Sequence, residues 1–422
     1  MRADQAYREA IRYYGGHQYI SKLRGKYDNV RLFWEDYTTG YYLKPYLRRM
    51  VSEKQELGQG LRVCELGCGA GDGYDFLTRL SRERVLDQAD TKVISNQDLA
   101  FYKGVDLNND LITEANNRFQ DHSKVKFTQG DISQGLPVES GEFPYDLYFT
   151  AYATLSHCND QELEKLFSDI AVHGRNGSII VGDWLGRYSY EWQSLWTQHP
   201  ENKPFVSYKL NFYSDQAKNV STFPMRVMTP EEITEIVDRV SERTGIKLKI
   251  KKIFDRSLFV GRHIETGDYN DYPQPLRSMV NSLHEPGHRT YLPNLLVDYI
   301  TRPGYTWQNN RLKDLEKSWN SLIRYTIKLL QAIADRNKQQ PGDDIIGENI
   351  QLPDPPDTNS SALRQAYQVI RRTIENSYYF YGDVRADIIE NQLGCCLRNL
   401  EMKYQQGEGL GHSIVSIIQV IK

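Results

Sequence analysis

The sequence predicts an α/β fold: a parallel sheet covered by helices on both faces, closed by an antiparallel hairpin, and followed by a mainly α-helical C-terminal extension. Three observations predict it. Short apolar runs alternate with amphipathic stretches between residues 61 and 182, the pattern of strand–helix–strand units and a parallel sheet. Two β-like runs, 246–254 and 257–264, then flank a tight turn at Asp255-Arg256. After about residue 266 the texture changes to long helical periodicity broken by Pro- and Gly-rich stretches.

Taken in order, residues 1–60 read as an amphipathic helical cap with turns at Gly15-Gly16 and Gly40. Leu61–Leu66 is a short buried strand, Gly67–Gly73 a loop and Tyr74–Ser81 a helix. Residues 82–101 are polar and patternless, as in an insertion. Tyr102–Leu107, Val125–Gln129, Tyr145–Thr150 and Gly177–Gly182 are further strands, with helices over Asp110–Phe119 and Asp160–Ile170. Thr229-Pro230-Glu231-Glu232 opens another helix, with proline at the favoured first position. Residues 61–265 thus form one α/β domain. In 266–422, Trp307–Lys338 and Ser361–Gln405 are helical, 339–361 is a linker or surface loop, and Ser413–Ile421 is a short β-like run. The helical stripes are too apolar for a disordered tail. They imply packing on the preceding domain or on a partner subunit, as in a homodimer joined through these helices.

The chain has 422 residues, enough for about two domains. Its formal net charge of −3 offers no basic field for nucleic acid. The lysines at 247–252 alternate as on a solvated strand face. The five cysteines (Cys64, Cys68, Cys158, Cys395 and Cys396) are odd in number and irregularly spaced. This argues against a disulfide framework and for a reducing, cytoplasmic setting. They have no zinc-site spacing, so no metal is expected. Leu283-His-Glu-Pro-Gly-His288 has the letters of a zinc motif, but Pro286-Gly287 would break the helix that must present both histidines. It predicts a turn. The N-terminus lacks an apolar signal core, and no apolar run approaches the roughly 20 residues needed to span a bilayer. The 29 tyrosines and 6 tryptophans crowd residues 7–46, 184–213 and 367–381, where their apolar bodies and polar tips suit pockets and domain interfaces alike.

The most informative segment is Val63-Cys-Glu-Leu-Gly-Cys-Gly-Ala-Gly-Asp-Gly73, between a buried strand and a helix. Glycines allow sharp turns and close ligand approach, and a helix N-terminus favours anionic groups. A dinucleotide fingerprint needs Gly-x-Gly-x-x-Gly, but counting from Gly67, Gly69 or Gly71 the third position is Asp72, Tyr74 or Phe76. A phosphate loop needs a closing Gly-Lys-Ser/Thr, which is absent. What remains is an acidic residue, Glu65, two positions before three alternating glycines. This resembles the first motif of class I S-adenosylmethionine-dependent methyltransferases.

The resemblance spans roughly residues 30–265 and implies a Rossmann-like sheet, S-adenosylmethionine as cofactor, and a set of site residues. Gly67, Cys68, Gly69 and Gly71 would pass under the methionyl part, with Glu65 orienting the site. In Gly104-Val-Asp-Leu-Asn-Asn109, Asp106 would take both ribose hydroxyls, with Leu107 beside it. Asp106 follows Glu65 by 41 residues, against about 20 in dinucleotide folds, and the polar stretch 82–101 accounts for the excess. In Phe127-Thr-Gln-Gly-Asp-Ile132, Asp131 would receive the adenine amino group and Ile132 would cover the ring. The strand at 145–150 ends at Thr150, whose loop would lie beside the methyl donor.

Acceptor-side candidates follow. His157, in the loop after Thr150, is a candidate general base, or else only orients that loop; Tyr152 lies on the same loop. Asp183, Arg187, Tyr188 and Tyr190 follow the fifth strand, where open α/β sheets carry their sites. Tyr190 is a candidate catalytic group. Arg187 would suit a substrate carboxylate or phosphate, or else pairs with Asp183 or Glu191. Tyr19, Trp34 and Tyr37 are candidates for an N-terminal lid over the cofactor and acceptor. These residues predict a methyltransferase acting on an O or N atom of a small molecule. The alternatives are a peptide or protein methyltransferase that docks its substrate on the C-terminal helices, and a non-catalytic cofactor-binding scaffold.

Overall fold

The computed structural model describes residues 28–82, 91–197, 204–209, 222–261, 276–339, 351–377 and 382–422. Tyr19, the Gly15-Gly16 turn, residues 83–90 of the stretch at 82–101 and residues 340–350 of the linker at 339–361 lie outside the described residues.

Among the described residues nine strands form one sheet: β1 (Leu61–Leu66), β2 (Leu99–Asp106), β3 (Val125–Gln129), β4 (Leu147–Phe149), β5 (Ile179–Gly186), β6 (Phe205–Lys209), β7 (Thr222–Met228), β8 (Lys247–Arg256) and β9 (Ser413–Ile421). β3, β2, β1, β4 and β5 run parallel in that order. β9 lies antiparallel between β5 and β8. Leu185 pairs with Ser413 of β9 on one edge and with Val227 of β7 on the other. The β6–β7 antiparallel pair therefore continues just past the short β4, above its carboxyl end.

Helices cover both faces. α1 (Asp36–Glu56), α2 (Asp72–Arg79) and α3 (Asn109–Arg118) bury Leu43, Leu47, Phe76, Leu77 and Ile112 on one face. α4 (Asp160–His173) and α5 (Pro230–Thr244) bury Leu163, Leu166, Ile233 and Ile236 on the other. The latter two begin where local chemistry dictates. Asn159 and Thr229 each accept the N–H of a glutamate three residues on, and that glutamate accepts the cap's own N–H in return. Such a reciprocal cap is worth about 1 kcal/mol.

A second core lies among α6 (Leu276–Ser282), α7 (Thr306–Gln339), α8 (Ser361–Glu375), α9 (Glu390–Met402) and the segment Leu258–Val260. Trp34 belongs to it. Its indole N–H donates to Glu401 (3.1 Å) and its ring lies 5.9 Å from that of Trp319. Glu401 also accepts the N–H groups of Leu258 (2.8 Å) and Phe259 (3.4 Å), so one buried carboxylate ties three segments together.

Four expectations are corrected here. The antiparallel closing pair is present, but 257–264 is not its second strand. β8 pairs with Ser413–Ile421, and the whole of 257–412 is inserted between the two. The polar Asp255-Arg256 step is not an exposed turn. Asp255 accepts the N–H groups of Gly407 (2.7 Å) and Glu408 (2.8 Å), while Arg256 reaches Asp183 (2.9 Å). A boundary at 265 with a separate helical unit beyond it therefore does not describe the sheet, whose β9 comes from the last residues of the chain. Gly40 is no turn either. It lies inside α1, where a Cβ would stand 2.7 Å from Leu80 Cδ2. Leu283–His288 does form a turn after α6, with His284 bonded to Asn391 (3.0 Å) and stacked on Phe33.

Among the described residues no helix is long and apolar enough to cross a membrane. No group of three or more His, Cys, Asp or Glu among them is placed to hold a metal ion.

Candidate active site

β1 pairs with β2 on one side and β4 on the other. The chain thus reverses its direction of travel across the sheet between β1 and β4, and crevices at such switch points, outside the carboxyl ends of the strands, hold ligands. The loop after β1 enters this crevice with Gly67, Gly69 and Gly71 at φ of +74°, +54° and +82°. A Cβ on Gly67 would stand 2.8 Å from Thr154 Oγ1 and closer still to its Cγ2. Sequence and space both require glycine there.

Asp106 fixes this loop from the end of β2. One carboxylate oxygen accepts the N–H of Gly69 (2.8 Å) and the other that of Asn108 (2.9 Å). A carboxylate has about four acceptor sites, so this group can take hydroxyls as well as backbone N–H groups. Leu107, next to it, is 46% exposed. At the end of β3, Asp131 accepts the N–H of Ser133 (2.9 Å) and caps the turn Ile132–Gln134. Gly130 N–H donates to Asp106 O (2.9 Å), which sets the two aspartates side by side. Glu65 lies buried and accepts the hydroxyl of Tyr102. Burial pushes the Cys68 thiol well up, so it is a neutral packing group and not a nucleophile.

Thr150 ties β4 to β5, donating to Val181 O (2.8 Å) and accepting Asp183 N–H (3.0 Å). The next residues are strained: Tyr152 and Ala153 have φ of +54° and +60°. Such conformations cost of order 1–3 kcal/mol each and persist where their surroundings hold them. Here the Tyr152 hydroxyl donates to Asp36 and accepts from Arg31 Nε (3.0 Å). The Arg31 guanidinium lies 4.3 Å and that of Arg256 5.3 Å from the ring centroid. Burial pushes the Asp36 carboxyl up, against the pull of Arg31. Arg31 also meets Asp72 (3.6 Å), which pairs with Arg118 (3.1 Å). The N-terminal segment is thereby pinned over the crevice by Arg31, Asp36 and Tyr152.

The ring of His157 packs on Phe223 of β7, with centroids 5.3 Å apart. Desolvation pushes its pKa down to about 4, so it is neutral near pH 7 but only weakly basic. Ala153, Trp192, Tyr208 and Phe223 form a small buried cluster between this turn and the β6–β7 pair.

Glu65, the glycine loop, Asp106, Leu107, Asp131, Ile132, Thr150, Tyr152 and His157 therefore gather along one edge. Asp183 meets them through Thr150, and several other candidates do not join them. Trp34 and Tyr190 are core residues, Tyr190 packing on Phe259 and Tyr299. Their positions correct both the lid reading of Trp34 and the catalytic reading of Tyr190. Tyr37 lies on the exposed side of α1 with the Arg398 guanidinium 3.5 Å from its ring centroid. Tyr188 packs edge-on against Trp196 and at a tilt against Tyr305. Asp183 pairs with Arg256 and not with Arg187, and Arg187 is buried with its guanidinium 5.8 Å from the Tyr188 ring centroid. Reasoning from sequence missed Arg31, Asp36 and Arg256. No local motif marks them, because their partners are distant in the chain.

The residues present suit S-adenosylmethionine: a tight glycine cradle, a carboxylate at the end of β2, and a second acidic turn beside it. A family model described as a methyltransferase domain matches residues 63–177. No curated protein matches the chain. Among solved structures, an S-adenosylmethionine-dependent methyltransferase from Clostridium acetobutylicum is 14% identical, covers 54% of this chain and 86% of its own, and has a TM-score of 0.34. The S-adenosylmethionine-bound amino pentose methyltransferase CalS10 from Micromonospora echinaspora is 11% identical, with coverages of 51% and 84% and a TM-score of 0.31. At these values nothing about the acceptor passes from those proteins to this chain. The family match, falling on the glycine loop and the strands around it, identifies residues 63–177 as a methyltransferase domain, in keeping with the class I S-adenosylmethionine-dependent superfamily.

Proposed function

We propose that the chain transfers a methyl group to an O or N atom of a small-molecule acceptor. The observation that carries this reading is the covered acceptor side. The β6–β7 pair packs over the turn at Thr154–His157, and Ala153, Trp192, Tyr208 and Phe223 are buried beneath it. Such an enclosure suits a small acceptor better than a protein surface. The scaffold alternative is disfavoured by the completeness of the cofactor side, where Glu65, Asp106 and Asp131 all stand at strand ends.

In this reading Gly67, Cys68, Gly69 and Gly71 line the methionyl part, Asp106 accepts the ribose hydroxyls, and Asp131 accepts the adenine amino group, with Leu107 and Ile132 against the ring. The bound cofactor supplies an activated methyl group on a positively charged sulfur. The chain's own residues have the remaining tasks of alignment, water exclusion and proton removal. Thr150 and the strained Tyr152–Ala153 step hold the loop beside the donor. Asp36 and Arg31 lock that step, and His157, neutral and apolar-packed, lines the acceptor side. The five cysteines, all free, accord with a cytoplasmic setting.

Incubating the chain with tritium-labelled S-adenosylmethionine and a cell extract tests the acceptor class. The reading expects label in the small-molecule fraction; label confined to protein would refute it.

A further inference from the structure

We propose that His412, oriented by Glu191, is the general base that takes the proton from the methyl acceptor. The proposal rests on the methyl-transfer reading above and assigns its proton-removal step.

His412 Nδ1 donates to Glu191 Oε2, and both side chains are buried. The two residues are 221 positions apart and meet only because β9 returns to the sheet. Ser189 Oγ lies 3.4 Å from the same carboxylate oxygen. A carboxylate on Nδ1 fixes the neutral ring with its proton there, leaves Nε2 as a proton acceptor, and stabilises the imidazolium that forms.

The dyad stands close to the cofactor loop through a short chain of contacts. Gly67 abuts Thr154. Ser156, in the same turn, accepts the N–H of Leu185 (2.8 Å). Leu185 pairs with Ser413, and Gly186 N–H donates to His412 O (3.1 Å). The imidazole lies against Trp192 (5.7 Å) and Tyr208 (6.4 Å), members of the cluster that encloses the acceptor side. Among the described residues, the charged and titratable groups around it include Glu191 on the turn after β5, Tyr208 on β6, and Asp255 and Arg256 on β8. The last two are reached through Gly411 N–H (3.4 Å from Asp255) and Ser413 Oγ (2.8 Å from Arg256). His157, by contrast, is too weakly basic near neutrality to serve well.

In the step, the acceptor's O–H or N–H proton passes to His412 Nε2. The heteroatom's lone pair forms the bond to the methyl carbon, and the electron pair of the broken C–S bond stays on sulfur. The imidazolium, paired with Glu191, later returns its proton to water.

Two measurements test this. Nitrogen NMR of the histidine-labelled full chain reads the tautomer without an acceptor. The neutral ring should carry its proton on Nδ1, and a proton on Nε2 with Nδ1 bare would overturn the proposal. Methyl transfer from tritium-labelled S-adenosylmethionine to a panel of phenols, hydroxy acids and amines reads the chemistry. His412→Gln should lower kcat roughly 100- to 10,000-fold, with KM and S-adenosylhomocysteine affinity unchanged. Glu191→Gln should move the acidic limb of the pH profile to lower pH, because the imidazolium loses its counter-charge. Native kcat in either variant, or a fall in kcat with the acidic limb unmoved, would overturn it. If His412→Gln fails to fold, the nearly isosteric Glu191→Gln and the tautomer decide. Failure of the unmodified chain to bind S-adenosylhomocysteine would refute the methyl-transfer reading itself and is seen separately.

Discussion

Replacing Gly67 by alanine tests whether the glycine loop and the loop after β4 form one rigid cradle. Gly67 has φ of +74°, and a new Cβ would stand 2.8 Å from Thr154 Oγ1 and nearer its Cγ2. The left-handed backbone costs alanine roughly 1–2 kcal/mol. Forcing a methyl into a packed position costs about 1–3 kcal/mol more. Gly67→Ala should therefore lose about 2–5 kcal/mol of stability, or displace Thr154 and weaken cofactor binding by a comparable amount. Thr154→Ser separates the two costs. It removes the methyl that Gly67→Ala meets first and keeps the hydroxyl that donates to Ala151 O (2.7 Å). The double variant should recover the steric part and retain the backbone part, a coupling of about 1–2 kcal/mol in a double-mutant cycle. Thermal unfolding and calorimetric titration with S-adenosylhomocysteine measure both quantities. Gly67→Ala with native melting and native affinity, or strictly additive effects, would refute the close approach.

Further perturbations reach other parts of the account. Glu401→Ala strips the acceptor from Trp34, Leu258 and Phe259; at about 1–3 kcal/mol for each orphaned donor, less the relief of a buried carboxylate, denaturant unfolding should show a loss of roughly 3–5 kcal/mol. Glu401→Gln, which keeps one acceptor oxygen, should lose far less, and equal losses would contradict the hub. Asp255 is pushed by burial to about 6 from 3.8, so its native state holds the proton more tightly than the unfolded chain. The resulting stability is present below pH 3.8 and lost as pH rises through about 6, roughly 3 kcal/mol in all. Asp255→Asn should flatten the pH dependence of unfolding in that window, and an unchanged slope would assign it elsewhere. His157→Ala should change kcat less than His412→Gln does; the reverse order would return the base role to His157.

Much of the fold was legible because it is locally encoded. β1, β4 and β5 contain short apolar runs, and Thr229-Pro230 with Glu232 writes its helix start in four letters. The glycine loop, Asp106 and Asp131 were legible because each follows its own strand end. What escaped depends on distant partners. Nothing near Ser413–Ile421 says that it pairs with β8 and β5, and the polar Asp255-Arg256 step reads as a turn until Gly407, Glu408 and Asp183 are seen to neutralise it. The aromatic residues misled for a related reason. An indole's apolar body and single N–H serve a lid or a core equally, and Trp34 finds Glu401 in the core. The acceptor side was least legible, since His412 and Glu191 are brought together only by the last strand.

The central claim is that Asp106, set by Gly69 and Asn108, holds the ribose of S-adenosylmethionine in the crevice between β1 and β4. Calorimetric titration of S-adenosylhomocysteine into the unmodified chain and into Asp106→Ala tests it most directly. The account predicts one-to-one binding by the former. It predicts affinity roughly 100-fold or more weaker for the latter, from the loss of two hydrogen bonds to a charged acceptor. No binding by the unmodified chain, or equal affinity in the variant, would contradict it.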